Sequence, residues 1–139
     1  MKDDKQPDIE TGMNPFASDD AMIAGATRIE APEFSHLSTT TEVPEMASLR
    51  IEYVARQETL IGESVATYLQ SFRNIKLTPE EAIQKVTKEL AQACMPLTLQ
   101  VVSNYSPRDG IALNPTGRFM HPEAQQAQPQ SRSVIQRPN

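Results

Sequence analysis

Few residues in this sequence combine a reactive type with a spacing that could do chemistry. Ser38 lies two residues after His36. On a strand, positions i and i+2 share a face, so a hydroxyl could sit beside an imidazole base. A serine needs such a base, because its hydroxyl is a weak nucleophile at neutral pH. The run Ser38-Thr39-Thr40-Thr41 has a simpler reading as a polar loop whose side chains bond nearby backbone. Glu80 follows Thr78-Pro79 and precedes Glu81. That places it in the first turn of a helix, where an acid interacts favourably with the helix dipole. Cys94 ends an apolar helical stripe, as a buried structural thiol does. His121 stands alone, without ligand partners at metal spacing. No Walker loop or dinucleotide glycine fingerprint occurs.

Composition bounds what these residues can belong to. The chain has 139 residues, a net charge of -5 and 5% aromatic residues with no Trp. That length fits one domain. The acidic balance argues against general nucleic-acid binding or a membrane-surface role. One cysteine excludes an internal disulfide and a Cys-rich zinc site. The longest small or apolar run, residues 21–26, is too short to span a bilayer. No basic segment followed by an apolar stretch opens the chain, so the expected location is cytoplasmic.

Charge and apolar content divide the chain in three. Residues 1–27 set Lys2 and Lys5 against Asp3, Asp4, Asp8, Glu10, Asp19 and Asp20, and show no sustained period. They read as a disordered or partner-ordered arm. Residues 119–139 are rich in Gln, Pro and Ser and read as a tail. The core is then 28–118, small enough that oligomerisation would help it stand.

Within the core, Leu49, Ile51 and Tyr53 alternate with polar residues, which predicts a strand, and an earlier strand is expected near residues 26–31. Ile61, Val65, Tyr68 and Phe72 recur at helical spacing. Thr78-Pro79-Glu80-Glu81 is a capping box that opens a second helix, and Pro96 stops it. Leu97, Leu99 and Val101 begin a strand running to about Tyr105. Residues 106–110 form a turn, with Ile111 and Leu113 in a last strand. The order β-β-α-α-β-β predicts an α+β fold of two antiparallel hairpins carrying both helices on one face.

These residues resemble a known family. Tyr68-Leu69-Gln70-Ser71-Phe72-Arg73-Asn74, Pro32-Glu33-Phe34, and Tyr105-Ser106-Pro107-Arg108-Asp109-Gly110-Ile111 with Asn114-Pro115 are similar to three segments of the QueF family. Its members are NADPH-dependent 7-cyano-7-deazaguanine reductases of queuosine biosynthesis, with the tunnelling fold (T-fold). The resemblance spans about residues 29–115, with Asp109 where a Gly is usual.

The resemblance also marks departures. The family's nucleophilic cysteine falls at Ser38 and its general acid at Glu45, one methylene longer. Beside Pro44, Glu45 also reads as a solvated residue at the start of a strand. The family signature associated with NADPH falls on residues 61–66, where Ile61, Glu63 and Ala66 replace an acid and two lysines. An added anion and two missing cations oppose a cofactor bearing a 2′-phosphate. No cofactor is expected, and NADPH would enter only if reductase activity survived. Related amidinotransferases need the cysteine as well. Glu80 matches the family's substrate-binding glutamate, while Pro79 replaces a neighbouring histidine. A carboxylate can accept two parallel hydrogen bonds, from a ring N–H and an exocyclic amine.

The resemblance therefore implies a QueF-like protein without nitrile reductase activity, acting as an oligomeric binding or assembly subunit. Its tails would clasp a larger assembly. The alternatives are a 7-deazaguanine binder and a divergent reductase or hydrolase working through Ser38 and Glu45.

Overall fold

A computed structural model describes residues 7–17 and 24–127. The alternation of apolar and polar residues builds the main sheet. Its strands are β2 (Ala26–Leu37), β3 (Pro44–Val54), β5 (Thr98–Tyr105) and β6 (Thr116–Met120), antiparallel in the order β2-β3-β5-β6. Cross-strand partners align Ile51 with Ile29 and Val101, and Tyr53 with Leu99. These side chains therefore share one face, as a period of two demands. Helices α1 (Gly62–Gln70) and α2 (Pro79–Cys94) cover that face. Val65, Ile83, Val86 and Leu90 pack into it with almost no exposed surface. The opposite face is polar, with Arg28 and Arg50 both paired to Glu52. No helix among the described residues is long and apolar enough to cross a membrane.

Helix α2 begins as its sequence requires. The Thr78 side chain accepts from the Glu81 N–H, and the Glu81 carboxylate accepts from the Thr78 N–H. It ends at Cys94, and Met95, just before Pro96, closes it in the left-handed conformation. Gly117 lets β6 approach α2, because a Cβ there would lie 2.0 Å from the Thr87 Oγ1.

Three expectations need correction. Ile111 and Leu113 form no strand and are 64% and 49% exposed. Ile111 only closes a tight turn with Arg108, with positive φ at Asp109 and Gly110. The partner of β5 is instead Thr116–Met120, so the fold runs past 118 into the expected tail. Phe119 packs on the core opposite Leu99, and α3 (Pro122–Ala127) buries Ala124. His121 is tied down too, donating its backbone N–H to Leu97 O and accepting at Nδ1 from the Glu123 N–H.

The third correction concerns the acidic arm. Within it, β1 (Thr11–Met13) pairs antiparallel with β4 (Glu58–Leu60) of the same chain. The buried Asn14 fixes this strap, donating to Arg56 O and accepting from the Phe16 N–H. The Phe16 ring lies against Gly25. Met22 and Ile23 of the arm lie outside the described residues, as do Arg132 and Arg137 of the tail.

Candidate ligand site

The end of the sheet nearest the start of α2 collects polar groups from five segments. Strand β2 ends at Leu37, whose N–H and C=O bond the backbone of Ile75 and Leu77 just before α2. That contact brings the first turn of α2, and with it Glu80, beside the ends of β2 and β3. His36 and Glu45 are cross-strand partners, and Tyr105 pairs with Ala47 two residues further along β3. His36, Glu45 and Tyr105 therefore point to the helix-covered face.

His36 is completely buried. Its Nε2 lies 2.7 Å from the Tyr105 hydroxyl and its Nδ1 3.2 Å from the Leu37 carbonyl. The Tyr105 ring meets His36 edge-on at 5.6 Å between centroids. Burial pushes the Tyr105 hydroxyl well above its ordinary ionisation range, and the Glu45 and Glu80 carboxylates push it further. Arg108, from the turn after β5, reaches Glu45 at 3.9 Å and donates to the Pro44 carbonyl at 3.4 Å.

Ser38 sits differently. It is buried, and its Oγ accepts from the backbone N–H groups of Thr40 and Thr41 at 3.1 and 3.3 Å. Its hydroxyl shapes the turn between β2 and β3. Both His36 ring nitrogens face other partners, so no serine–imidazole pair is assembled. The lone thiol is no substitute: burial pushes Cys94 up to about 12, with Glu58 adding to the shift.

Glu80 is exposed and lines a groove of about 760 Å³ between α2 and β6, with Ile83, Thr87 and Phe119 in its walls. The capping duties of the first turn fall to Thr78 and Glu81, which leaves the Glu80 carboxylate free of them. Tyr105 was not singled out from the sequence. Its partner His36 is 69 residues away, and no local pattern signals that pairing.

The helix covering and strand order define an α+β protein of the T-fold type. The apo crystal structure of an archaeosine synthase QueF-Like superposes with a TM-score of 0.63 at 16% identity, covering 67% of this chain and 91% of that one. The family model described as QueF-like protein matches residues 44–124, which include Glu45, Glu80, Tyr105 and Arg108 but not Ser38. The NADPH-dependent 7-cyano-7-deazaguanine reductase of Bacteroides thetaiotaomicron is 30% identical over 95 residues, 68% of this chain and 63% of that protein. Its counterpart in Streptococcus thermophilus is 30% identical over 115 residues, 83% of this chain and 68% of that protein. The reductase of Exiguobacterium sibiricum is 32% identical over 95 residues, 68% of this chain and 59% of that protein. The chain belongs to the QueF family. It spans about three-fifths of the length of the first of these relatives.

Proposed function

We propose that this chain is a QueF-like subunit that binds a base of the 7-deazaguanine class and does not reduce nitriles. The observation that carries this reading is the contrast between Ser38 and Glu80. The Ser38 hydroxyl accepts two backbone N–H groups and has no base, so it is a poor candidate for nitrile attack. Glu80 is exposed at a groove, with Glu45 and Tyr105 nearby, and suits an N–H and amine edge. NADPH is not part of the proposal. Residues 61–66 carry Glu63 where a cation would be wanted, and the strap bonds to Ile61 and Ser64. The unit would act as a homo-oligomer, because among the described residues β2, apart from its Leu37 end, and β6 have no strand on their outer edges, and a second copy can cover them.

The test is calorimetry with 7-cyano-7-deazaguanine, followed by NADPH oxidation in the same sample. Binding without cofactor consumption supports the proposal, and steady nitrile-dependent oxidation overturns it. A second reading, pure assembly without a ligand, draws on the helix-dipole account of Glu80. It predicts no binding, with a multimer in sedimentation. A monomer at micromolar concentration would remove the oligomeric part of both readings.

A further inference from the structure

The groove between α2 and β6 is charged at more than one point. Glu80, Gln84, Lys88 and Gln92 recur every four residues along α2, and all four line it. That spacing makes one row on a helix, so these side chains stand in line along one wall. Beside the row lie Ile83, Thr87 and Phe119. The Thr87 hydroxyl is already given to the Ile83 carbonyl at 2.7 Å, so the polar chemistry of this wall rests with the row.

Two charges in the row are unengaged. Among the described residues, neither the Glu80 nor the Lys88 side chain takes part in an ion pair or a hydrogen bond. Lys85 differs: Glu89 holds it at 3.0 Å and also accepts from the Tyr68 hydroxyl. Arg118 borders the groove as well, but β6 aligns it with Gln100, which β5 aligns with Glu52 on the polar outer face. Lys88 is therefore the cation of the helical wall. It stands two steps of four beyond Glu80, which is about 12 Å along the helix axis. A free base held at Glu80 ends well short of that distance. A nucleoside 5′-phosphate spans it, with its base edge and its phosphate at opposite ends of an uncharged sugar.

We infer that the groove takes a 7-deazaguanine nucleotide, with the base edge at Glu80 and a 5′-monophosphate at Lys88. The inference rests on the binding reading above and names its ligand class. Gln84, between the two charges, can both donate to and accept from the sugar hydroxyls. One cation matches one phosphate, and a net charge of -5 favours a free nucleotide over a nucleic-acid strand.

The full chain is titrated with 7-deazaguanine, 7-deazaguanosine and 7-deazaguanosine 5′-monophosphate, at low and at physiological salt. The monophosphate should bind wild type about tenfold tighter than the nucleoside, the low end for a hydrogen bond to a charged group, and the gain should shrink as salt rises. Lys88→Met should remove most of that gain. Lys85→Met deletes the same charge on the Glu89 side of the helix and should keep it, which separates a local contact from general attraction. If the base binds but the sugar is excluded, or the phosphate adds nothing, the inference falls and the binding reading stands. The same holds if Lys85→Met loses as much of the gain as Lys88→Met. If none of the three ligands binds wild type, both fall.

Discussion

The two helices begin in opposite ways. Helix α2 caps itself: Thr78 and Glu81 satisfy each other's backbone groups, and Glu80 beside them is left exposed to a groove. Helix α1 has no side-chain cap at Ile61. Its opening is completed by the strap, where Glu10 O accepts from the Ile61 N–H and the Glu10 N–H donates to Ser64 Oγ at 2.7 Å. A self-capped start frees its remaining polar groups for a ligand. A start completed by another segment has already committed them. The same difference separates Glu80 from Ser38, whose hydroxyl is committed to its own turn.

The sharpest way to break this comparison is to restore chemistry at the committed position. Ser38→Cys should give a covalent adduct with 7-cyano-7-deazaguanine at most, visible as a mass increase, with no NADPH-dependent turnover. Turnover by that variant would mean that the α1 start still serves a cofactor. Next in size is the native thiol. Cys94 is held at about 12 against an ordinary 9.0, which leaves roughly a thousandfold less thiolate at pH 8. Alkylation of the folded protein should be slower than that of the urea-unfolded chain by about that factor. The sign for stability follows: the raised value favours the folded state below pH 9, and that advantage is lost as pH rises from 9 towards 12. Equal alkylation rates would show that the helix face bearing Cys94 opens readily.

A smaller effect distinguishes the two neighbouring acids of α2. Glu80→Gln removes a charged acceptor and should weaken 7-deazaguanine binding by about tenfold to a hundredfold, the range for hydrogen bonds to a charged group. It should leave the melting temperature nearly unchanged, because the cap does not use it. Thr78→Ala should do the reverse, costing about 1 kcal/mol of stability with affinity kept. If both substitutions act only on stability, Glu80 is a helix-dipole acid and the assembly reading gains.

What could be read from the sequence was what is local. The capping box, the apolar stripe of α2 and the alternation in β3 each lie within a short window, and the structure builds all three. The last strand was misplaced because Ile111 and Leu113 alternate like a strand, whereas β6 contains Gly117 and Arg118, which dilute its apolar signal. The strap was missed for a similar reason. Three residues, Thr11, Gly12 and Met13, have no period to detect, and their pairing with Glu58–Leu60 is long-range. At the site, Ser38 and Glu80 stand out by type and spacing, while Glu45 and the roles of all three came from the family resemblance. Tyr105 could come only from the fold, because it meets His36 across the sheet.

The most local expected effect tests the strap itself. Asn14 is 6% exposed and closes two hydrogen bonds, to Arg56 O at 2.9 Å and from the Phe16 N–H at 3.1 Å. Asn14→Ala leaves both partners unpaired in a part-buried place, which should cost about 1 to 2 kcal/mol locally. Residues 28–120 keep their own sheet and core, so the loss should concentrate in β1 and the opening of α1. Hydrogen exchange reads this directly. In wild type the amides of Asn14 and Ile61, bonded to Gln57 O and Glu10 O, should be protected, and in the variant both should exchange faster. Ala82, bonded to Thr78 O at the self-capped start of α2, should keep its protection and serves as the internal control. Unprotected Asn14 and Ile61 in wild type would mean that the strap does not complete α1, and the difference between the two helix starts would lose its basis.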